Sequence, residues 1–302
     1  MSLTVNWKAA DGAAKYRIYR GTKRFTNATL PTDMTEVSKD VLSKTYDDAV
    51  RNVTYWFSIS SVDTDGVETF GEPFAVGYFP ETGVGPTKLL RGDWSFGYFG
   101  EVAPTDLFTS AQIQGWLTAK GATGNALTTA LTVWHKFIVN GKIIFIPDRY
   151  ITYQGQAVTS AILPANGIAM TVKDSWLLEN GGWQYRYRIP HASLDDSKYL
   201  TAFTPDTTKD DFQSSEAGMM ISMFSYSMGA NNPALVNSTI DTNAQNTTRM
   251  RLLDVNTFAA YVPVGATDSA NTSAIQVIQA NGSVSSISGN TLRIWPVLEL
   301  VL

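Results

Sequence analysis

Thr54-Tyr55-Trp56-Phe57-Ser58-Ile59-Ser60-Ser61-Val62 is the stretch on which the fold of the first part of the chain turns. Tyr55, Phe57 and Ile59 fall on one side of a period-two repeat, the pattern of a strand with one buried face. Asp63-Thr64-Asp65-Gly66 then turns the chain. Working outward, Leu3, Val5 and Trp7 alternate with Thr4, Asn6 and Lys8, and Asp11-Gly12 supplies a turn. Tyr16-Arg17-Ile18-Tyr19-Arg20 repeats the alternation as far as Gly21. Short strands with turn punctuation and no helical period predict an antiparallel sandwich.

The 302 residues exceed the usual size of one hydrophobic core, so a second domain is expected. Pro80, Gly83, Gly85 and Pro86 crowd one short stretch and read as a semi-stiff connection. The expected division is a sandwich at 1–82, a linker at 83–92 and a larger domain at 93–302. Within the latter, Thr109-Ser110-Ala111-Gln112-Ile113 offers a cap and the start of a short helix through Trp116 and Leu117. Asn140-Gly141 joins the strand-rich run 131–139 to Lys142-Ile143-Ile144-Phe145-Ile146 as a hairpin. Trp183-Gln184-Tyr185-Arg186-Tyr187-Arg188-Ile189 alternates after Asn180-Gly181-Gly182. Its aromatic face reads as core, as do Trp7, Trp56 and Trp134. Residues 204–248 turn to Asp, Asn, Ser and Thr and read as long surface loops. The apolar end 292–302 predicts a last strand tied into a sheet or an interface.

Composition narrows function. Lys and Arg number 23 against 27 Asp and Glu, and the net charge of -4 leaves no basic footprint for nucleic acid. Without cysteine there is no disulfide framework, thiolate metal site or cysteine nucleophile. No apolar run approaches the roughly 20 residues needed to cross a bilayer, so membrane insertion is not expected. The start, Met-Ser-Leu-Thr-Val-Asn-Trp, lacks the layout of a secretory signal, which predicts assembly in a cytoplasm. His135 and His191 show no zinc spacing, and His135, inside an apolar strand, reads as a satisfied or edge-facing side chain. Nucleophile-elbow, P-loop and dinucleotide motifs are absent from the sequence. Asp195, Asp196, Asp210, Asp211 and Glu216 are the carboxylates a glycosidase would have to draw on, and in polar loops they read as solvated surface. No catalytic, cofactor or metal residue is therefore expected. Arg91-Gly92-Asp93 spells an adhesion triplet and reads as coincidence.

Two resemblances follow from the quoted runs. Tyr16-Arg17-Ile18-Tyr19-Arg20-Gly21, Leu30-Pro31, Tyr46-Asp47-Asp48 and the run from Thr54 resemble fibronectin-type-III-like modules, particularly those of phage structural proteins, over about residues 3–80. That resemblance implies a tyrosine corner at Tyr55. Farther on come, in order, Gly97-Tyr98-Phe99-Gly100-Glu101-Val102, Trp134-His135-Lys136-Phe137, Gly141-Lys142, Ile144-Phe145-Ile146-Pro147, Ser214-Ser215-Glu216 and Trp295-Pro296-Val297-Leu298-Glu299-Leu300. This set resembles a domain recurrent in phage virion proteins, which we take to be C-type-lectin-like, over roughly 93–302. The chain departs from that pattern at Ala217, where a Trp follows the Ser-Glu pair, and at Trp295, where an Arg is usual. Calcium-dependent sugar binding is not implied, because the Glu-Pro-Asn, Gln-Pro-Asp and Trp-Asn-Asp signatures are missing.

The fold class implied is mainly β, an immunoglobulin-like, fibronectin-III-like sandwich followed by a larger α+β C-type-lectin-like domain. The function implied is that of a non-enzymatic structural component of a tailed phage particle: collar, tail or baseplate attachment, decoration or short fibre. It would be located in the virion, contact other virion proteins and form a homo-oligomer, with no cofactor. The alternative is a receptor-binding adhesin that recognises host surface glycan through loops 204–272. Phe224, Tyr226, Asp210 and Asp211 are the loop residues expected to face a partner or ligand.

Overall fold

A computed structural model describes residues 2–119, 125–126, 131–148, 151–154, 176–188, 190–191, 193–195, 210–220, 261–266, 275–279, 284–287, 291–294 and 296–302. The fold is mainly β, and the chain divides into two compact units. The first holds Met1–Thr82 together with Asp93–Ser95, and the second holds Gly83–Gly92 and Phe96–Leu302. The segment 83–92, expected as a linker, thus groups with the second unit.

The first unit is a β-sandwich built from β1 (Leu3–Asn6), β2 (Lys15–Gly21), β3 (Met34–Ser38), β4 (Ser43–Tyr46), β5 (Val53–Val62), β6 (Glu68–Phe70) and β7 (Phe74–Tyr78). One sheet is the antiparallel pair β1–β4. The other runs β3-β2-β5-β6, with β7 also paired to β5. The alternation read from the sequence decides which side chains fill the space between them: Leu3 and Val5 from one sheet meet Tyr16, Ile18, Tyr55 and Phe57 from the other. The Tyr55 hydroxyl accepts the Val50 N–H at 2.8 Å, tying β5 to the loop before it. Trp56, expected in the core, takes the other face of β5 because its parity is opposite to that of Tyr55 and Phe57, and Arg24 lies 5.5 Å from its ring. Trp94 stacks on Phe79 at 5.4 Å, and its carbonyl accepts the Thr54 hydroxyl at 2.9 Å. The indole also covers Gly77 so closely that a Cβ there would lie 2.2 Å from it.

The second unit contains β8 (Arg91–Gly92), β9 (Phe96–Val102), α1 (Ser110–Ala119), β10 (Asn125–Ala126), β11 (Trp134–Val139), β12 (Lys142–Pro147), β13 (Ile151–Gln154), β14 (Trp176–Asn180), β15 (Trp183–Arg188), α2 (Asp210–Gln213), β16 (Tyr261–Ala266), β17 (Ile275–Gln279), β18 (Val284–Ile287), β19 (Thr291–Ile294) and β20 (Val297–Val301). Among the described residues, seven strands form one sheet in the order β14-β15-β20-β12-β11-β9-β8, and six form another in the order β10-β13-β19-β16-β17-β18. The terminal strand β20 is inserted between β15 and β12, which accounts for its apolar sequence. Asn140 and Gly141 join β11 to β12 with φ of 50° and 77°, the left-handed pair that a two-residue hairpin turn requires. Thr109 and Gln112 cap α1 reciprocally: the Thr109 N–H donates to Gln112 Oε1 at 2.8 Å, and the Gln112 N–H donates to Thr109 Oγ1 at 3.3 Å. The helix side of the sheet carries Trp134, whose indole N–H donates to the Phe108 carbonyl at 2.8 Å, and also Tyr185, which meets Phe108 and Phe145, and Tyr187, which meets Trp116.

Candidate functional site

Alternation along β15 sends Tyr185 and Tyr187 to the helix side and Arg186 and Arg188 to the opposite face. Glu299 of β20 shares that opposite face, because it pairs with Arg186 in register. His191 and the helical turn at 216–220, which starts from Ser215, lie against these residues. The Ser215 hydroxyl accepts the Gly218 N–H at 3.2 Å, a cap that sets Glu216 in the first turn, where the helix dipole favours a carboxylate.

These pieces close on Arg188. Its Nη1 and Nη2 donate to the two oxygens of Glu216, each at 2.6 Å, and its Nε donates to Glu299 at 2.7 Å. Arg186 donates to the other oxygen of Glu299 at 2.6 Å. The His191 N–H adds a bond to Glu216 at 2.9 Å, and the His191 carbonyl accepts the Ala217 N–H at 2.8 Å. Lys142 Nζ lies 3.4 Å from His191 Nδ1. The cluster is out of water, with Arg188 1%, Glu216 3%, His191 3% and Glu299 7% exposed. Burial alone would raise the Glu216 carboxyl, but the Arg188 guanidinium overrides it and holds the group at about 2. Two guanidinium groups facing two carboxylates leave the four residues neutral in sum, the condition under which buried charges are tolerated.

The surface reading of the acids is corrected here for Glu216, which is buried because Arg188 supplies its counter-charge. Asp211 accepts the Ser193 hydroxyl at 2.8 and 2.9 Å and the Leu194 N–H at 2.8 Å, so it fastens the 193–195 stretch to α2. Asp195 is exposed. Asp210 opens α2, but its side chain, Asp196, Phe224 and Tyr226 lie outside the described residues. His135 is on a central strand rather than an edge, 3.2 Å from the Tyr98 hydroxyl. Asp93 accepts from both the N–H and the hydroxyl of Ser95, at 2.7 and 2.5 Å. Among the described residues, no group of three or more His, Cys, Asp or Glu is placed to hold a metal.

Sequence reading missed this cluster because arginine and glutamate at alternate strand positions look like a solvated face. The one available signal was that Glu216 and Glu299 each sat in a run singled out by the resemblance. Comparison with protein-family models, curated proteins and solved structures finds no match to the chain.

Proposed function

We propose that the chain is a structural component of a tailed phage particle, its first unit a fibronectin-III-like module and its second a C-type-lectin-like module. The observation that carries this reading is the convergence of separated runs on one residue. Glu216 of Ser214-Ser215-Glu216 and Glu299 of the terminal run both bind Arg188. Runs that a family shares in a fixed order are expected to meet in space when they specify one domain. The Val50–Tyr55 bond supports the module assigned to the first unit, since a tyrosine hydroxyl bonded to backbone a few residues upstream is a mark of such sandwiches. The departure at Ala217 falls on a fully buried position whose N–H is bonded to the His191 carbonyl.

In this role one unit docks on the particle while the other projects or bridges neighbours, as a symmetric homo-oligomer in the way most repeated particle components are. Mass spectrometry of purified virions tests it. Peptides of this chain at a stoichiometry matching a symmetric ring or spike are expected, and their absence from intact particles rejects the reading.

A further inference from the structure

Lys136 is the only fully buried lysine among the described residues, with an exposure of 0%. It sits on the helix side of β11, and its ammonium lies 5.0 Å from the Phe99 ring and 5.8 Å from the Phe145 ring. Two of its protons go to the backbone of the segment between Thr82 and β8: Nζ donates to the Val84 carbonyl at 2.9 Å and to the Pro86 carbonyl at 2.7 Å. That segment lies flush on the sheet. Gly83 and Gly85 have φ of 72° and 80°, and a Cβ on them would come within 2.9 Å of Leu300 and 2.4 Å of Val102. The segment is thus a strap of the second unit laid over a charged group.

We propose that residues 83–86 form a strap closed over Lys136 whose opening returns the ammonium to water, so that lower pH favours the open strap and higher pH the closed one. The sign follows from linkage. Burial pushes the Lys136 ammonium down to about 8 from its ordinary 10.5, so the open state binds more protons than the closed state wherever pH lies between the two values. With those values the opening constant falls about tenfold from pH 7 to pH 9 and is flat between pH 6 and 7.

Among the described residues, the titratable groups on the strands around Lys136 are placed so that they do not reproduce this profile. Tyr185, on the same face, is pushed up to about 12 by burial and stays neutral throughout. Glu101 with His135, Lys142, Arg186, Arg188 and Glu299 occupy the opposite face of the sheet by strand alternation and register. The strap itself, Gly83-Val84-Gly85-Pro86, carries no charge.

Hydrogen exchange on the full chain at pH 6, 7, 8 and 9, with each rate divided by its intrinsic rate, reads the opening constant of the amides at 83–90 separately from those of β11 and β12. The wild type is expected to show strap amides opening far more often than strand amides, with the tenfold fall above pH 7 and the plateau below. In Lys136→Met the fall disappears. A strap constant that is flat or rises with pH in the wild type overturns the proposal, and so does the same fall in the variant. Should Lys136→Met not fold, the direction and plateau in the wild type still decide.

Discussion

At the scale of one residue, Glu216 shows how a buried carboxylate becomes an acid-sensitive part of the fold. Its folded value of about 2 lies below the ordinary 4.5, because Arg188 overrides the effect of burial. The unfolded chain therefore binds the extra proton first as pH falls. The stabilisation from ionised Glu216 is fully present above about 4.5 and is lost progressively down to about 2. Glu216→Gln removes the charge but keeps the shape, leaving Glu299 as the carboxylate that Arg188 meets among the described residues. Breaking one partner of a buried pair costs about 3–5 kcal/mol, so the variant should unfold at clearly lower denaturant at pH 7. Between pH 4.5 and 2 its stability should also fall less steeply than that of the wild type. Equal slopes in chemical denaturation over that window would show that Glu216 does not titrate as its surroundings require.

At the scale of elements, the sequence carried strands and turns well wherever one face met water. β2 and β5 follow the alternation of Tyr16, Ile18, Tyr55 and Phe57, and the hairpin at Asn140-Gly141 follows from two residues that tolerate positive φ. It carried less where both faces are covered. Every residue of β11 is buried, so period two no longer separates core from solvent, and Lys136 and His135 could not be placed from the pattern. The helix is the converse case, since its cap at Thr109 and Gln112 was legible three residues apart. One position within α1 works against it. Gly115 is exposed, and a Cβ there meets nothing within 4 Å. Gly115→Ala should stabilise the second unit by about 0.5–1 kcal/mol, through the backbone entropy that glycine loses on entering a helix. A thermal melt unchanged or lowered by this substitution would show that α1 contributes nothing to the cooperative unit.

For the whole molecule, the charges fall into two populations that a count of 23 against 27 hides. In the first unit Arg20 reaches Asp33 at 2.5 Å and Asp48 at 2.7 Å, and Lys15 and Arg17 share Glu36. The carboxylates of these pairs stand in water, with Asp48 66% exposed. The second unit holds Arg188, Glu216 and Glu299 out of solvent. From sequence the two sets look alike, because acid and base at alternate or distant positions carry no mark of burial. Glu299 meets Arg186 and Arg188 because β20 lies beside β15, and Glu216 meets Arg188 from the turn at 216–220, neither of which the sequence marks. Screening separates them, since the Debye length shrinks from roughly 30 Å at 0.01 M to roughly 3 Å at 1 M salt, while a pair sealed from ions is little affected. Double-mutant cycles on the full chain at both salt concentrations should therefore diverge. The Arg20–Asp48 coupling, measured with Arg20→Met and Asp48→Asn, should shrink toward zero at 1 M NaCl. The Arg188–Glu216 coupling, measured with Arg188→Met and Glu216→Gln, should keep most of its low-salt size. A buried coupling that collapses with salt alongside the exposed one would mean that water and ions reach Arg188 despite its burial.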